Sequence, residues 1–335
     1  MAYSVNAAFS TLMKDFVNLE PDASRSGKVS RDWLVDNQIL NFPENDDKFP
    51  LLYPEPKMWF GSFSRKTKIR ELDDIDLMII MHAERSFYSQ LDNTFFLSPG
   101  ENSRYLNYTD SSGSYINSRR VVNKFVSSLS AVWQYASADS KRQGEAATLK
   151  LKSYSWNFDI VPAFMTAPDA HGETFYLIPD GDGNWKRTDP RIDKERTTRL
   201  NQKHDAKMLN IIRLVKYWKR KRAVPAINSY VLETILLNRY DLLFEGGIRV
   251  YIDEEFPHVL RDLAFAILHP VYDHKNIQGD INGLTWEERL KIHEKATSDA
   301  SLAEEAVALK FSDPVRSGKL WQQVLGRDFP VAEIS

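Results

Sequence analysis

The 335 residues hold 44 Lys plus Arg against 46 Asp plus Glu, a formal net charge of −2, so no global charge argues for a nucleic-acid or membrane partner. With no cysteine, disulfides, thiol nucleophiles and Cys-based zinc sites are excluded. Hydrophobic residues at 42% and charged residues at 27% describe an ordinary globular protein, long enough for one large bilobed unit or two domains.

The N-terminal stretch is mixed polar and apolar, without the basic start and apolar core of a signal peptide. The longest apolar runs, such as residues 77–81, are far too short to span a bilayer. A cytoplasmic protein without a membrane partner is expected. Phe9, Leu12, Met13, Phe16 and Leu19 fall on one stripe and predict a helix over 5–19, with a second helix over 29–40. Pro43, Pro50, Pro54 and Pro56 predict a loop, closed by Met58-Trp59-Phe60 as a short buried strand. That strand ends at a Gly61-Ser62 turn. Residues 74–81 predict a strand from their length and β-branched content.

Residues 110–114 read as a polar loop. A helix is predicted over 119–135, with Val122, Phe125, Val126, Leu129, Val132 and Trp133 on one side. Extended segments follow within 149–164, then a strand, turn and strand over 175–185. From about 193 the chain turns helical, with helices over 205–221, 229–243, 256–268 and 285–311. The front is mixed α/β and the back helical, with the boundary near residue 195.

Three features of the front half carry chemistry. Asp74 and Asp76 stand two apart in the strand 74–81, so both carboxylates project from one face. Unpaired carboxylates beside an apolar sheet are costly, and a divalent cation between them removes that cost. Hard oxygen ligands suit Mg²⁺ or Mn²⁺. Asp159, inside the apolar run from Trp156 to Val161, supplies a third acid from a neighbouring strand. Two metals about 4 Å apart then clamp the attacking and leaving oxygens of an in-line displacement. Asp159 can also help deprotonate the attacking hydroxyl. The Gly61-Ser62 turn lets phosphate approach the backbone and offers N–H groups and a hydroxyl to its oxygens. Asp73 faces away by alternation. Taken singly each feature has a bland reading: a solvated strand end, a common turn, an Asp paired to an Arg.

The string from Gly61-Ser62 through Thr67-Lys68-Ile69 to Asp74-Ile75-Asp76-Leu77 resembles the DNA polymerase β-like nucleotidyltransferase signature. More narrowly, it resembles the bacterial cGAS/DncV-like nucleotidyltransferases, or CD-NTases. The resemblance extends over roughly residues 58–275, through Ile178-Pro179-Asp180, Trp185 and Thr188-Asp189-Pro190. It implies an α+β fold: a polymerase β-like nucleotidyltransferase lobe with a mixed sheet plus a C-terminal helical lobe, bilobed like oligoadenylate synthase. The expected division is a catalytic lobe over 1–195 and a helical nucleotide-binding lobe over 196–335. The N-terminal helix could belong to either, and the helical lobe would close an ATP-sized cleft.

The resemblance also implies Asp74, Asp76 and Asp159 as catalytic metal ligands, and Lys216 in 212–219 as a phosphate-binding lysine. Ser229 would contact phosphate and Tyr230 would stack on a base, a contact of about 1–3 kcal/mol. Glu233 reads as structural. Arg65 and Lys66, beside the Gly-Ser turn, could meet phosphates or point to solvent. Residues 194–222 hold 11 Lys or Arg against Glu195 and Asp205, most of which read as a solvated basic face. The family has an Asp-Pro step where Asp273 is followed by His274, so Asp273 is assigned no role. No Walker loop, dinucleotide fingerprint or His-Glu-x-x-His motif occurs.

The implied activity joins nucleoside triphosphates, with two Mg²⁺ or Mn²⁺ ions, into a cyclic di- or trinucleotide with release of pyrophosphate. ATP is the expected substrate, with GTP or pyrimidine triphosphates as further ones. The setting is CBASS antiphage signalling through a cyclic-nucleotide-responsive effector protein. A monomer that needs no nucleic acid is expected. Two alternatives stand beside this: transfer of nucleotides to an RNA or protein acceptor, with which the basic 194–222 segment is compatible, and a nucleotide sensor that has lost catalysis.

Overall fold

A computed structural model of the chain describes residues 4–331 except 136 and 223. Its front half runs α1 (Val5–Leu12), α2 (Pro21–Asn37), α3 (Phe42–Asn45), β1 (Leu52–Trp59), α4 (Gly61–Ser64), β2 (Asp74–Met81), β3 (Phe87–Leu91) and β4 (Thr94–Ser98). Then come α5 (Ser118–Ser130), β5 (Asp139–Gln143), β6 (Ala146–Lys150), β7 (Asn157–Met165), β8 (Tyr176–Pro179) and β9 (Trp185–Thr188). The remainder is helical: α6 (Pro190–Lys203), α7 (Met208–Lys221), α8 (Ser229–Leu242), α9 (Ile252–Ala266), α10 (Trp286–Leu309) and α11 (Pro314–Leu325).

Two compact units form. The sheet unit comprises Pro21–Arg65 and Leu72–Lys194; the helical unit comprises Met1–Glu20, Lys66–Glu71 and Glu195–Ser335. The division is not a single cut in the sequence. Residues 66–71, between the Gly-Ser segment and the Asp-x-Asp strand, group with the helices.

In the sheet unit the main strand order is β1-β2-β7-β8-β9-β4-β3, with β6 also on β7 and β5 on β6. β2 and β7 run parallel; the other pairs are antiparallel. β7 is the hub, meeting β6 along its first half and β8 at its end. One face of β2, β6, β7 and β8 carries a buried cluster of Met78, Ile80, Ala146, Val161, Ala163, Tyr176 and Ile178. On the reverse face α2 packs closely through Gly27, where a Cβ would lie 2.8 Å from Leu72 and 3.1 Å from Ile75. A larger residue there would push α2 off the start of β2.

Prolines 54 and 56 lie inside β1, not in a loop. β1 is an edge strand whose register slips between Leu52 and Lys57, so the missing N–H groups fall where the ladder is already interrupted. Gly61-Ser62 opens the one-turn helix α4 rather than a plain turn, with Gly61 at φ +70°. α5 ends at Ser130, before Trp133, which is 80% exposed instead of sharing the buried side.

The helical unit has one core that runs from α1 through α7, α8, α9, α10 and α11. Phe9 sits edge-on to Trp321 at 4.8 Å and to Phe329 at 5.0 Å, which fixes α1 among the C-terminal helices. The first helix does not run regularly to residue 19. α1 passes into a π-helical turn over Met13–Val17. The wider turn rotates the stripe, burying Val17 and leaving Phe16 exposed. α10 starts with a capping box in which Thr285 and Glu288 satisfy each other's backbone N–H groups. None of the helices among the described residues is long and apolar enough to cross a membrane.

Candidate active site

Strand alternation puts Asp74 and Asp76 on one face of β2. The parallel register sets Asp74 beside Asn157 and Asp76 beside Asp159. Directly paired residues on neighbouring strands share a face, so all three acids stand together at the same end of two adjacent strands. Here Asp74, Asp76, Asn157 and Asp159 are half-buried, while Ile75, Leu77, Phe158 and Ile160 beneath them are buried. Further along, both faces are buried. The acids thus occupy the stretch of these two strands where one face is open and its reverse is dry.

Gly61 belongs to the same place. A Cβ on it would lie 1.8 Å from Asp76 Oδ2, so only glycine lets the backbone come this close to that carboxylate. Asp159 is held differently: the Thr148 hydroxyl of β6 donates to its Oδ1 at 2.6 Å. Ser62 and Arg65 are half-buried on and just after α4, and Lys66 is exposed with its carbonyl accepting from Arg213 at 2.8 Å.

Among the described residues no group of three or more His, Asp or Glu side chains already stands close enough to hold a metal ion. The donor set nonetheless fits a hard divalent cation. Neighbouring strands are about 4.8 Å apart, so carboxylates paired across them lie within reach of a shared ion.

In the helical unit, Lys216 is central in α7 and only 6% exposed. Its Nζ lies 2.8 Å from Glu233 Oε1 of α8, and Glu233 also accepts the Thr67 hydroxyl at 3.0 Å. One turn on, Lys219 donates to the Ile227 carbonyl, and burial with the nearby Lys216 charge lowers its pKa. Burial likewise lowers that of Arg213. Ser229 is exposed at the first turn of α8, behind the N-cap Asn228. The Tyr230 hydroxyl donates to Asp273 Oδ1 at 2.9 Å, and Lys275 lies 4.7 Å from the centre of its ring.

Asp273 therefore has a place in the structure. Burial pushes its pKa up, but Lys275, the Tyr230 hydroxyl and backbone N–H groups outweigh it, holding the carboxyl below the usual range. The basic run 194–222 is largely engaged internally. Arg196 and Arg199 pair with Asp241, Lys207 with Asp205, Lys221 with Asp328 and Arg222 with Asp299. Thr148 on Asp159 and Thr67 on Glu233 are among the contacts that escaped sequence reasoning. For the first a signal existed: one hydroxyl in the otherwise apolar strand Ala146-Ala147-Thr148-Leu149.

No sequence-family profile matches the chain. It is 39% identical, over 99% of its length and all of the relative's, to a Bacillus cereus protein named "probable cyclic nucleotide synthase". It is 26% identical to a cyclic AMP-AMP-AMP synthase of Acinetobacter sp., over 55% of this chain and 53% of that one. Its fold matches two structures of CdnC from E. coli MS115-1, one in complex with HORMA-deltaN and one with ATP. Each has a TM-score of 0.67 over 97% of this chain and 98% of the other, at 16% and 17% identity, a likeness of fold alone. Joined to the Gly61-Ser62 and Asp74-x-Asp76 geometry, 39% identity over the full length of a probable cyclic nucleotide synthase shows that this chain belongs to the CD-NTase family of nucleotidyltransferases.

Proposed function

We propose that the protein joins nucleoside triphosphates into a cyclic di- or trinucleotide, with Asp74, Asp76 and Asp159 as its metal-binding acids. The observation that carries this reading is the register of β2 on β7, which sets Asp76 beside Asp159 with Asp74 on the same face. CD-NTases are generally divalent-metal dependent; Mg²⁺ or Mn²⁺, as two ions, is our assignment for this chain. When bound, such ions neutralise charge on the attacking and leaving oxygens. The residues of the chain do the rest. Asp74 and Asp76 would hold the ions, since carboxylates by themselves repel phosphate, and Asp159 takes up the proton of a ribose hydroxyl as its oxygen attacks the α-phosphorus. The bond to pyrophosphate breaks on the opposite side. Gly61 and Ser62 hold phosphate oxygens through backbone N–H and hydroxyl, with Arg65 beside them.

Lys216 neutralises triphosphate charge in this reading, Ser229 contacts phosphate and Tyr230 stacks on a base. An ammonium has three donors, so Lys216 can keep Glu233 and still offer an N–H to phosphate. ATP is the proposed substrate, with GTP or pyrimidine triphosphates as further ones, and the protein acts as a cytoplasmic monomer. The product would serve CBASS antiphage signalling by binding a downstream effector. Transfer to an RNA acceptor is disfavoured because the basic run carries its own acidic partners. The test is incubation with all four radiolabelled triphosphates and Mg²⁺ or Mn²⁺, with products identified by mass. A cyclic product without added polymer supports the proposal; nucleotides found only on an RNA or protein acceptor sink it.

A further inference from the structure

We infer that Thr148 is a positioning residue for the third acid, orienting the Asp159 carboxylate for metal. This rests on Asp159 being a metal ligand, as proposed above. Thr148 lies directly opposite Asp159 in the antiparallel register of β6 on β7, so both side chains stand on the acid face. The side chain is 4% exposed and its neighbours Ala146, Ala147 and Leu149 are buried and apolar. A hydroxyl in such a strand is unfavourable unless it is hydrogen-bonded, and valine would suit the strand as well. The bond at this position goes to Asp159 Oδ1, at 2.6 Å. An ionised carboxylate only accepts, so the threonine donates, and the length is that of a charge-assisted O–H···O⁻ bond.

The consequence is orientational. The terminal torsion of an aspartate is broad, so an unrestrained carboxylate must be ordered when metal binds. A β-branched threonine is stiff at its first torsion, and a stiff donor on Oδ1 settles that rotation beforehand. Asp76 depends on its neighbour in another way, since its Oδ2 occupies space that a Cβ on Gly61 would fill.

The test is direct Mn²⁺ binding to the full chain without nucleotide, followed by the EPR signal of free Mn²⁺, with circular dichroism as the check of folding. Hydrogen-bond partners of metal ligands typically change metal affinity 10–100-fold, and Thr148→Val should weaken Mn²⁺ by about that factor. Thr148→Ser, which keeps the hydroxyl and loses the methyl, should stay within about threefold of the wild type, since the donor that matters is retained. Thr148→Ala, lacking both groups, guards against a valine variant that does not fold and should weaken binding as valine does. Wild-type Mn²⁺ affinity in the variants without the hydroxyl, while Asp159→Asn weakens it, overturns the inference and leaves the acid assignment standing. Equal damage from serine and valine also overturns it, since the methyl would then be what matters. An Asp159→Asn variant that binds Mn²⁺ as the wild type does overturns the metal role of Asp159 and this inference together.

Discussion

The acids of the sheet unit and the lysine of the helical unit are held in opposite ways. Asp74, Asp76 and Asp159 sit half-buried at the open end of β2 and β7, above a dry reverse face. Lys216 is buried in α7 against Glu233, itself 2% exposed and also bonded to Thr67. A carboxylate that is to exchange water for metal needs access, and the strand ends provide it. A buried ion pair recovers its desolvation only while both partners stay. The acid end is therefore the accessible part, and the Lys216–Glu233 pair is a buried structural element.

The sharpest way to break this comparison is Asp76→Ala. If the acids are catalytic, turnover should fall about 10⁴-fold, roughly 5.5 kcal/mol of transition-state stabilisation. The thermal unfolding midpoint should move little, because a half-exposed carboxylate contributes little to the core. Product formation and calorimetry on one preparation check both halves. Retained nucleotide turnover would remove the metal assignment.

Glu233→Gln tests the other side and should act on stability first. It leaves the Lys216 charge buried without its counter-charge, a loss of roughly 3–5 kcal/mol by denaturant unfolding. The double variant Lys216→Met with Glu233→Leu removes the charge problem and should recover most of that stability. Recovery without nucleotide affinity would show that the pair serves binding. Recovery with full affinity would reduce it to architecture.

These contrasts explain what the sequence disclosed. Asp74 and Asp76 were legible because alternation along one strand is a local rule. That Asp159 stands beside Asp76 is a matter of register across more than eighty residues, and family resemblance, not periodicity, pointed to it. Pro54 and Pro56 misled because the rule against proline in strands lapses at an interrupted edge. Phe16 misled because a π-turn shifts the helical phase after Leu12. The hairpin of β3 and β4 was missed because β3 is exposed throughout and shows no buried alternation. The link of Lys216 to Glu233 joins two helices, and spacing within either one says nothing of it.

Gly61→Ala ranks next. The new Cβ would fall 1.8 Å from Asp76 Oδ2, at a φ of +70° that alanine rarely adopts. The carboxylate must shift by an ångström or more, and a misplacement of that size costs about 10²-fold in rate. Steady-state kinetics should show a lower kcat with the fold retained. An unchanged kcat would mean that Asp76 does its work from another rotamer.

The smallest effect belongs to Tyr230→Phe, and its pH dependence is what makes it informative. The folded pKa of Asp273 is depressed, so its stabilisation is fully present above the unfolded value of about 3.9 and is lost as pH falls through the folded value. The Tyr230 hydroxyl supplies part of that depression through its 2.9 Å bond. Removing it should lower stability near pH 7 by roughly 1.5 kcal/mol, the lower end for a hydrogen bond to a charged group. The gap between the variant and the wild type should close only below the ordinary carboxylate value of about 3.9, as falling pH protonates Asp273 first in the variant and then in the wild type. Denaturant unfolding at a series of pH values measures this. The aromatic ring survives the substitution, so nucleotide affinity should hold if Tyr230 stacks on a base, and should fall if its hydroxyl is what the nucleotide requires.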